Sequence, residues 1–438
     1  MINIFKQHIE NNFKELFNAP FLIAISGGVD SVVLSHLCVS CNLNFGLAHC
    51  NFQLRNTESD ADEAFVKHLA KECKAELFVK RFNTKQYADV HKRSIQMAAR
   101  EQRYQWFQEL INTTHYKYIL TAHHTNDNLE TFLINFIRGT GLNGLTGIPE
   151  KQKHIRRPLL PFSSEEILNY AKENRITWRE DSSNKTVKYL RNKLRHEVIP
   201  ILQEINPELI DTYKQNNHFL NDSAYLVKQE IKGFIKKAVL DKKDRIVSFK
   251  VNAFLKTKNP RAYLYEVFKS YGFTQWNDIL HLLTAESGKQ VFSKSHRIIK
   301  YKNTLLLAPK KTEQASFFSI TKETKTIKIP EGEITFKTVK KNKHNSKHCI
   351  YLDKANIQFP LEIRSWNTQD VIYLSGMNGK KKVSKLLKDE KLSPIEKENT
   401  LVLISNNKVV WVIGIRVDKR FLATSTSQVL FKVKLSKP

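Results

Sequence analysis

Phe21-Leu22-Ile23-Ala24-Ile25-Ser26-Gly27-Gly28-Val29-Asp30-Ser31 joins an apolar run to a hydroxyl, two glycines and a carboxylate. A short buried strand that ends this way and then opens a helix builds a phosphate cradle. The glycines let backbone N–H groups approach a phosphate, and the helix N-terminus behind them adds partial positive charge. The stretch lacks the lysine of a Walker A loop. It places Asp30 where phosphate charge should sit, an arrangement that suits a Mg²⁺ between them, because hard cations bridge carboxylates and phosphate oxygens. A bare Ser-Gly-Gly turn is usually just a tight strand–helix connection. The six-residue form directly behind a strand points to nucleotide binding.

Outward from this loop, four apolar runs (residues 21–25, 43–48, 77–79 and 118–122) alternate with helical patterns. That alternation predicts an α/β fold with a doubly wound parallel sheet. Three runs hand over to polar residues at their C-terminal ends: Ser26-Gly27-Gly28, His49-Cys50-Asn51 and His123-His124. Ligands of open α/β sheets bind outside the carboxyl ends of the strands, so these groups should converge on one crevice. After His123-His124 a helix begins, with Thr125 expected as its N-cap and with Asp127 and Glu130 on one face. Acids in a first turn commonly do no more than complement the helix dipole. Beside a phosphate crevice they become candidates for Mg²⁺ or a cationic substrate. Zinc fits poorly, since the spacing matches no common helix site and no cysteine pair accompanies it. Upstream, residues 98–107 read as an amphipathic helix with Arg100 and Arg103 on one side and Tyr104 and Phe107 on another. Two arginines at that spacing are most often a solvated face; here they are placed to clamp a carboxylate or phosphate.

The chain of 438 residues is long enough for two or three domains, and an apolar content of 41% supports a sizeable core. Lys and Arg number 71 against 43 Asp and Glu, a formal charge of +28. Such a surplus favours a polyanionic partner, nucleic acid before membrane, although a lysine-rich proteome would produce it too. No apolar run approaches membrane-span length and the N-terminus starts no signal peptide, so a soluble cytoplasmic protein is expected. Five cysteines (Cys38, Cys41, Cys50, Cys73 and Cys349) form no even disulfide framework. Cys38 and Cys41 lie three apart on one helix, where core packing is expected rather than metal or redox chemistry.

After Pro200 the pattern changes. Apolar residues from Ile210 to Ala238 follow helical spacing, with further helices over 261–271 and 276–283, so residues 206–310 read as a helical domain. From about Lys311 the chain turns β-rich, with a hairpin around Asn406-Asn407. Lys380, Lys381 and Lys382 open a stretch read as a basic amphipathic helix over 379–388; a lysine run is usually a solvated face. The division is thus 1–205 catalytic, 206–310 helical and 311–438 a basic α+β domain.

The Ser26 to Ser31 pattern resembles that of the pyrophosphate-loop ATPases, a Rossmann-like superfamily. Further blocks bring the chain close to the bacterial tRNA(Ile)-lysidine synthases: His49-Cys50-Asn51-Phe52-Gln53-Leu54-Arg55, Ala99-Arg100…Arg103-Tyr104, His123-His124…Asp127…Glu130-Thr131 and Arg138-Gly139-Thr140-Gly141. Arg157-Pro158-Leu159-Leu160, Glu180-Asp181-Ser182-Ser183-Asn184 and Arg191-Asn192…Arg195-His196…Pro200 continue the match. Each block is modest, but their order over some 180 residues is specific. The resemblance implies an ATP-dependent ligase acting on tRNA(Ile) with anticodon CAU. ATP adenylates O2 of the wobble cytidine and pyrophosphate leaves; L-lysine then attacks C2 and AMP leaves, giving lysidine. It further implies that Ser26, Gly27, Gly28, Val29, Asp30 and Ser31 hold the phosphates, with Asp30 on Mg²⁺. Asp127 and Glu130 would bind the lysine ammonium groups. Arg103 with Arg100 would meet its carboxylate or the activated base, and His123 would stabilise adenylation. Arg191, Asn192 and Arg195 would contact the anticodon loop. The helical domain would support the anticodon stem, and Lys380, Lys381 and Lys382 would track acceptor-stem phosphates. A homodimer is the expectation by analogy.

Some positions depart from the family pattern. Asn126 and Asn128 stand where many relatives carry a second acid and Gln; the stretch 50–52 lacks a usual histidine; and the usual Gly-Asp turn is replaced around Arg364-Ser365-Trp366-Asn367-Thr368-Gln369-Asp370. Two rivals were weighed. A tRNA 2-thiolase needs paired cysteines at the crevice, where Cys38 and Cys41 are misplaced. A non-catalytic tRNA-binding protein would have no need of Asp30, Asp127 and Glu130.

Overall fold

The computed structural model describes residues 1–54, 57–180, 190–243, 245–310, 317–340 and 344–436. They fall into two compact units, Met1–Gln229 and Glu230–Pro438. Arg55, residues 181–189 and Lys341 to Lys343 lie outside the described residues, so parts of the blocks read above have no structural counterpart.

The first unit is built on a six-stranded sheet: β1 (Phe21–Ala24), β2 (Phe45–Asn51), β3 (Leu77–Arg81), β4 (Tyr118–Leu120), β5 (Lys151–Gln152) and β6 (Ile155–Arg156). Their order across the sheet is β3-β2-β1-β4-β6-β5. The first five in that order run parallel, and only β5 is antiparallel, at the edge. Alternation along β1 explains why helices cover both faces. Phe21 and Ile23 point into a core shared with Phe5 and Ile9 of helix Ile2–Asn12 and with Val33 and Leu37 of α1 (Val29–Ser40). Leu22 points the other way, into a cluster with Trp106, Phe107 and Leu110 of α2 (Ile95–Thr113) and with Ile119. A strand buried on both faces must be apolar at every position, which is how 21–25 reads.

Strand order reverses between β1 and β4. The chain steps outward from β1 through β2 to β3, then returns to place β4 on β1's other side. The switch point of a doubly wound sheet opens a crevice there, and its lips are the segments that follow β1 and β4.

The second unit is antiparallel. The helices expected within 206–310 are present as Pro260–Phe268 and Trp276–His281, together with the N-terminal part of this stretch in the 30-residue helix Leu209–Ala238. They share the segment with a five-stranded sheet that the sequence reading did not anticipate, formed by Val239–Lys243, Ile246–Lys250, Thr304–Pro309, His296–Tyr301 and Gln290–Phe292. Phe249, Phe254, Phe268, Ile298 and Leu305 form the core between these helices and strands. Beyond it, five-stranded and four-stranded sheets enclose a core around Trp411, Ile363 and Val433. The hairpin Leu401–Ser405 to Lys408–Val412 turns at Asn406 and Asn407, both at positive φ (46° and 58°), as a type I′ turn requires.

The basic stretch is corrected. Lys381–Lys382 is a short strand paired with Val371–Ile372, and helix begins only at Val383, running to Asp389. Pairing to that neighbour holds the lysines extended, while Val383, Leu386 and Leu387 anchor the helix on Val402, Ile404 and Val412.

Candidate active site

The loop behind β1 is held open by its own hydroxyls. Ser31 Oγ donates to the Gly28 carbonyl (3.0 Å) and accepts from the Ser26 backbone N–H (3.2 Å), while the Gly28 N–H donates to Ser26 Oγ (3.2 Å). Gly27 sits at φ +95°, which strains any residue with a Cβ. Its carbonyl accepts the Arg179 N–H at 3.0 Å, tying the loop to a distant segment. Gly28 is the N-cap of α1 and no side chain caps this end. The first N–H groups of the helix are therefore left for an anion.

The opposite lip is the start of α3 (Thr125–Ile137). His124, not Thr125, is its N-cap; Thr125 is the first helical residue, and its hydroxyl donates instead to the Leu160 carbonyl at 2.9 Å. Asp127 reaches back to accept the His124 N–H at 3.2 Å. The His124 ring, nearly buried, lies between two carboxylates, its Nε2 3.5 Å from Asp127 and 3.8 Å from Asp30. The two lips therefore meet: Asp30 of the phosphate loop and Asp127 of α3 share one imidazole. Their surroundings push them apart. Burial raises the Asp30 pKa, with Asp127 adding to the rise and His124 and Arg195 opposing it. Burial also works against ionised Asp127, but His124, His123, Arg191 and the His124 N–H outweigh it and hold its carboxyl below the ordinary value.

Glu130 is fully buried. Its Oε2 accepts Arg191 Nε at 2.6 Å and its Oε1 accepts Arg195 Nε at 2.5 Å. Arg191 also donates to the Asp127 carbonyl and to Thr131 Oγ1, both at 3.1 Å, and Arg195 to Asp127 Oδ1 at 3.2 Å. The Arg191 and Arg195 side chains remain about one-third exposed (38% and 35%), so each can still face a ligand. Asn192 lies between them in sequence. His123 receives or gives a hydrogen bond at Thr121 Oγ1 (2.8 Å), and burial pulls its pKa down to about 4, aided by Arg157, Arg191 and Arg100.

The two arginines of α2 do not share one exposed side apart from the aromatics. Arg100 lies over the ring of Tyr104 (4.9 Å to the centroid), since positions four apart stack on a helix, and Arg103 lies over Phe52 (5.3 Å). The Phe52 ring, just past the end of β2, carries the Arg103 contact. His49 Nδ1–H donates to the Ile25 carbonyl (2.9 Å), fastening the end of β2 to the start of the phosphate loop. In the second unit Lys381 forms an ion pair with Asp389 at 2.7 Å and is largely covered, whereas Lys380 and Lys382 are exposed.

Family comparisons agree along the chain. The model for a PP-loop domain matches residues 1–202, that for a TilS substrate binding domain 242–310, and that for a TilS substrate C-terminal domain 361–433. A tRNA(Ile)-lysidine synthase of Parabacteroides distasonis is 36% identical over 98% of this chain and 99% of its own length. One of Bacteroides thetaiotaomicron is 36% identical over 98% of each chain, and that of Bacillus subtilis 28% identical over 94% and 93%. The chain belongs to the tRNA(Ile)-lysidine synthases. Among solved structures, the U34-tRNA thiolase NcsA from Methanococcus maripaludis superimposes on half of it and 78% of its own chain with a TM-score of 0.41 at 18% identity.

As a tRNA(Ile)-lysidine synthase with a PP-loop domain, the chain uses ATP. No group of three or more His, Cys, Asp or Glu side chains able to hold a metal occurs among the described residues. Mg²⁺ does not need one, because it commonly binds through one or two carboxylates plus substrate phosphates. Asp30, a desolvated carboxylate at the mouth of the phosphate loop that makes no ion pair with Lys or Arg among the described residues, suits that pattern. The sequence places His124 at the crevice through the His-His pair and Arg157 in a matching block, but assigns neither a role; Arg157 follows β6, on the side where the other parallel strands deliver their polar groups. The thiols of Cys38, Cys41 and Cys73 are pushed up by burial, away from the thiolate form that sulfur or metal chemistry requires.

Proposed function

We propose that this chain converts cytidine 34 of a tRNA(Ile) with anticodon CAU to lysidine, in the cytoplasm, at the crevice between the loop 26–31 and the start of α3. The supporting observation is the shared imidazole: His124 brings Asp30, at the mouth of the phosphate cradle, and Asp127, at the anionic start of a helix, to one spot. The cytidine O2 attacks the α-phosphorus of ATP and pyrophosphate leaves. The lysine ε-amine, having given up a proton, attacks C2, and AMP carries away the oxygen. Positioning and charge neutralisation dominate such chemistry.

Ser26, Gly27, Gly28, Val29 and Ser31 hold the phosphates through the loop and the uncapped start of α1, and Asp30 would hold Mg²⁺, which when bound neutralises phosphate charge. Asp127, ionised and facing the loop, meets the lysine ammonium. Glu130 contributes to the same site differently from the expectation of direct contact: both its oxygens are taken, and it fixes Arg191 and Arg195 so that their outer edges, with Asn192, face the anticodon loop. Neutral at physiological pH, His123 supports adenylation without adding charge. Arg103 and Arg100 meet the lysine carboxylate or the activated base. Lys380 and Lys382 touch tRNA phosphates, and a homodimer is proposed by family analogy.

The test is incubation with ATP, labelled lysine and tRNA transcripts. Label should enter the CAU transcript only when ATP is present and should vanish when cytidine 34 is changed to uridine. Lysine incorporation that ignores that change would reject the assignment.

A further inference from the structure

A cavity of about 330 Å³ opens in the first unit between α2 and strands β4 and β6, and of the residues that line it only Arg100 has a part in the chemistry above. Arg100, Tyr104, Phe107, Gln108 and Ile111 line it from a single face of α2, at positions 0, 4, 7, 8 and 11 of the helical repeat. Ile119 and Ile155 give it an apolar floor, and Gln152, Lys153 and His154 close the far side. No carboxylate lines it.

Behind this wall lies Arg157, 3% exposed. It donates to the Pro149 carbonyl (2.7 Å) and to Gln152 Oε1 (3.3 Å), and its Nε has no partner. Among the described residues no carboxylate pairs with Arg157, Arg100 or Lys153. Burial pulls the Arg157 pKa below the usual arginine value; the Tyr104 hydroxyl beside it opposes that shift and Arg100 reinforces it. A buried cation without a counter-charge is costly, and a cavity lined by Arg100 and Lys153 and by no acid, with Arg157 behind it, is made to face an anion. The tyrosine and the glutamine that Arg157 touches both line the cavity, so the cation also sets its shape.

We propose that this cavity receives one nucleotide of the substrate RNA, a neighbour of the target cytidine splayed from its loop. The base lies against Tyr104 and the apolar floor, and the phosphodiester lies beside Lys153. Unpaired RNA bases are read in this way, by stacking on aromatic rings and guanidinium planes. The volume suits one nucleotide. No glycine loop meets the cavity, so phosphate is met there by side chains alone, which suits the single charge of a phosphodiester better than a free nucleotide. The cavity is tied to the crevice through Arg100 and Arg157, whose charges both act on His123.

This rests on the function proposed above, and the experiment separates the two. The full chain, with Gln108→Trp to fill the cavity from the helix surface and Lys153→Glu to invert the rim charge, is titrated with a short hairpin RNA bearing the CAU loop. Each variant should raise the hairpin Kd about fivefold or more, the range for losing one stacked base or its phosphate contact, while the KM for ATP stays unchanged. An abasic residue next to the target cytidine should cost the wild-type chain a similar factor and cost Gln108→Trp nothing further. Unchanged Kd values in both variants, each with native circular dichroism, would overturn the assignment. So would AMP competing with the hairpin in the wild-type chain but not in Gln108→Trp while abasic substitution has no effect, since the site would then take a free nucleotide. Failure of the wild-type chain to modify any RNA would strike the proposed function instead.

Discussion

Asp30 and Asp127 are carboxylates on either side of one histidine, yet their surroundings give them opposite tendencies, and such divergence marks groups with separate roles. Among the described residues Asp30 makes no ion pair with Lys or Arg, and it is the residue proposed to meet the metal. Replacing it with Asn should abolish pyrophosphate release while tRNA binding survives; full turnover by that variant would remove the metal role. Glu130 has a different sensitivity. Glu130→Gln leaves two arginines around a neutral amide, and stability should fall by about 2 kcal/mol, below the roughly 3–5 kcal/mol of breaking a fully buried pair because both arginine side chains reach solvent. Urea denaturation measures this, and a loss of only a few tenths would show that the clamp carries little energy. Local spacing made both acids visible in the sequence. It did not show that Arg191 and Arg195, 61 and 65 positions after Glu130, close on that residue, because no periodicity links such distant positions.

At the scale of elements, the long buried strands were legible because burial on both faces forces an unbroken apolar run. β5 and β6, two residues each, carry no such run, and the five short strands between Val239 and Pro309 sit in a stretch dominated by helical spacing. The lysine stretch shows the same limit. Three adjacent lysines look equivalent, but strand pairing and Asp389 remove Lys381 from the surface charge. Replacing Lys380 and Lys382 with Ala should therefore flatten the log–log salt dependence of tRNA binding by about two units, roughly one per phosphate contact, and Lys381→Ala should leave it nearly unchanged. Equal effects from all three would restore the simple basic run. Another element junction is sensitive to acid. Glu63, in helix Thr57–Glu72, binds Arg81 of β3, Lys67 and Asn51 at the end of β2, and the Arg81 hydrogen bond leads in holding its pKa at about 2 against an ordinary 4.5. A depressed folded pKa means that this stabilisation is complete above 4.5 and is lost as pH falls through about 2. The stability gap between the wild-type chain and Glu63→Gln should close over that interval. A gap independent of pH would place the junction's strength elsewhere.

For the whole molecule, a charge of +28 signalled a polyanionic partner, and the order of motifs signalled the family before any strand was placed. What the composition could not carry is which reactant ATP activates. Loops from β1 and β4 converge on one rim, so the triphosphate and a base can meet there before lysine enters. The most direct measurement is pyrophosphate release with lysine left out. The chemistry proposed here gives a burst equal to the bound CAU tRNA, with AMP following only when lysine is added. Pyrophosphate released by lysine alone, without RNA, would mean that the amino acid and not cytidine is adenylated, and would contradict it.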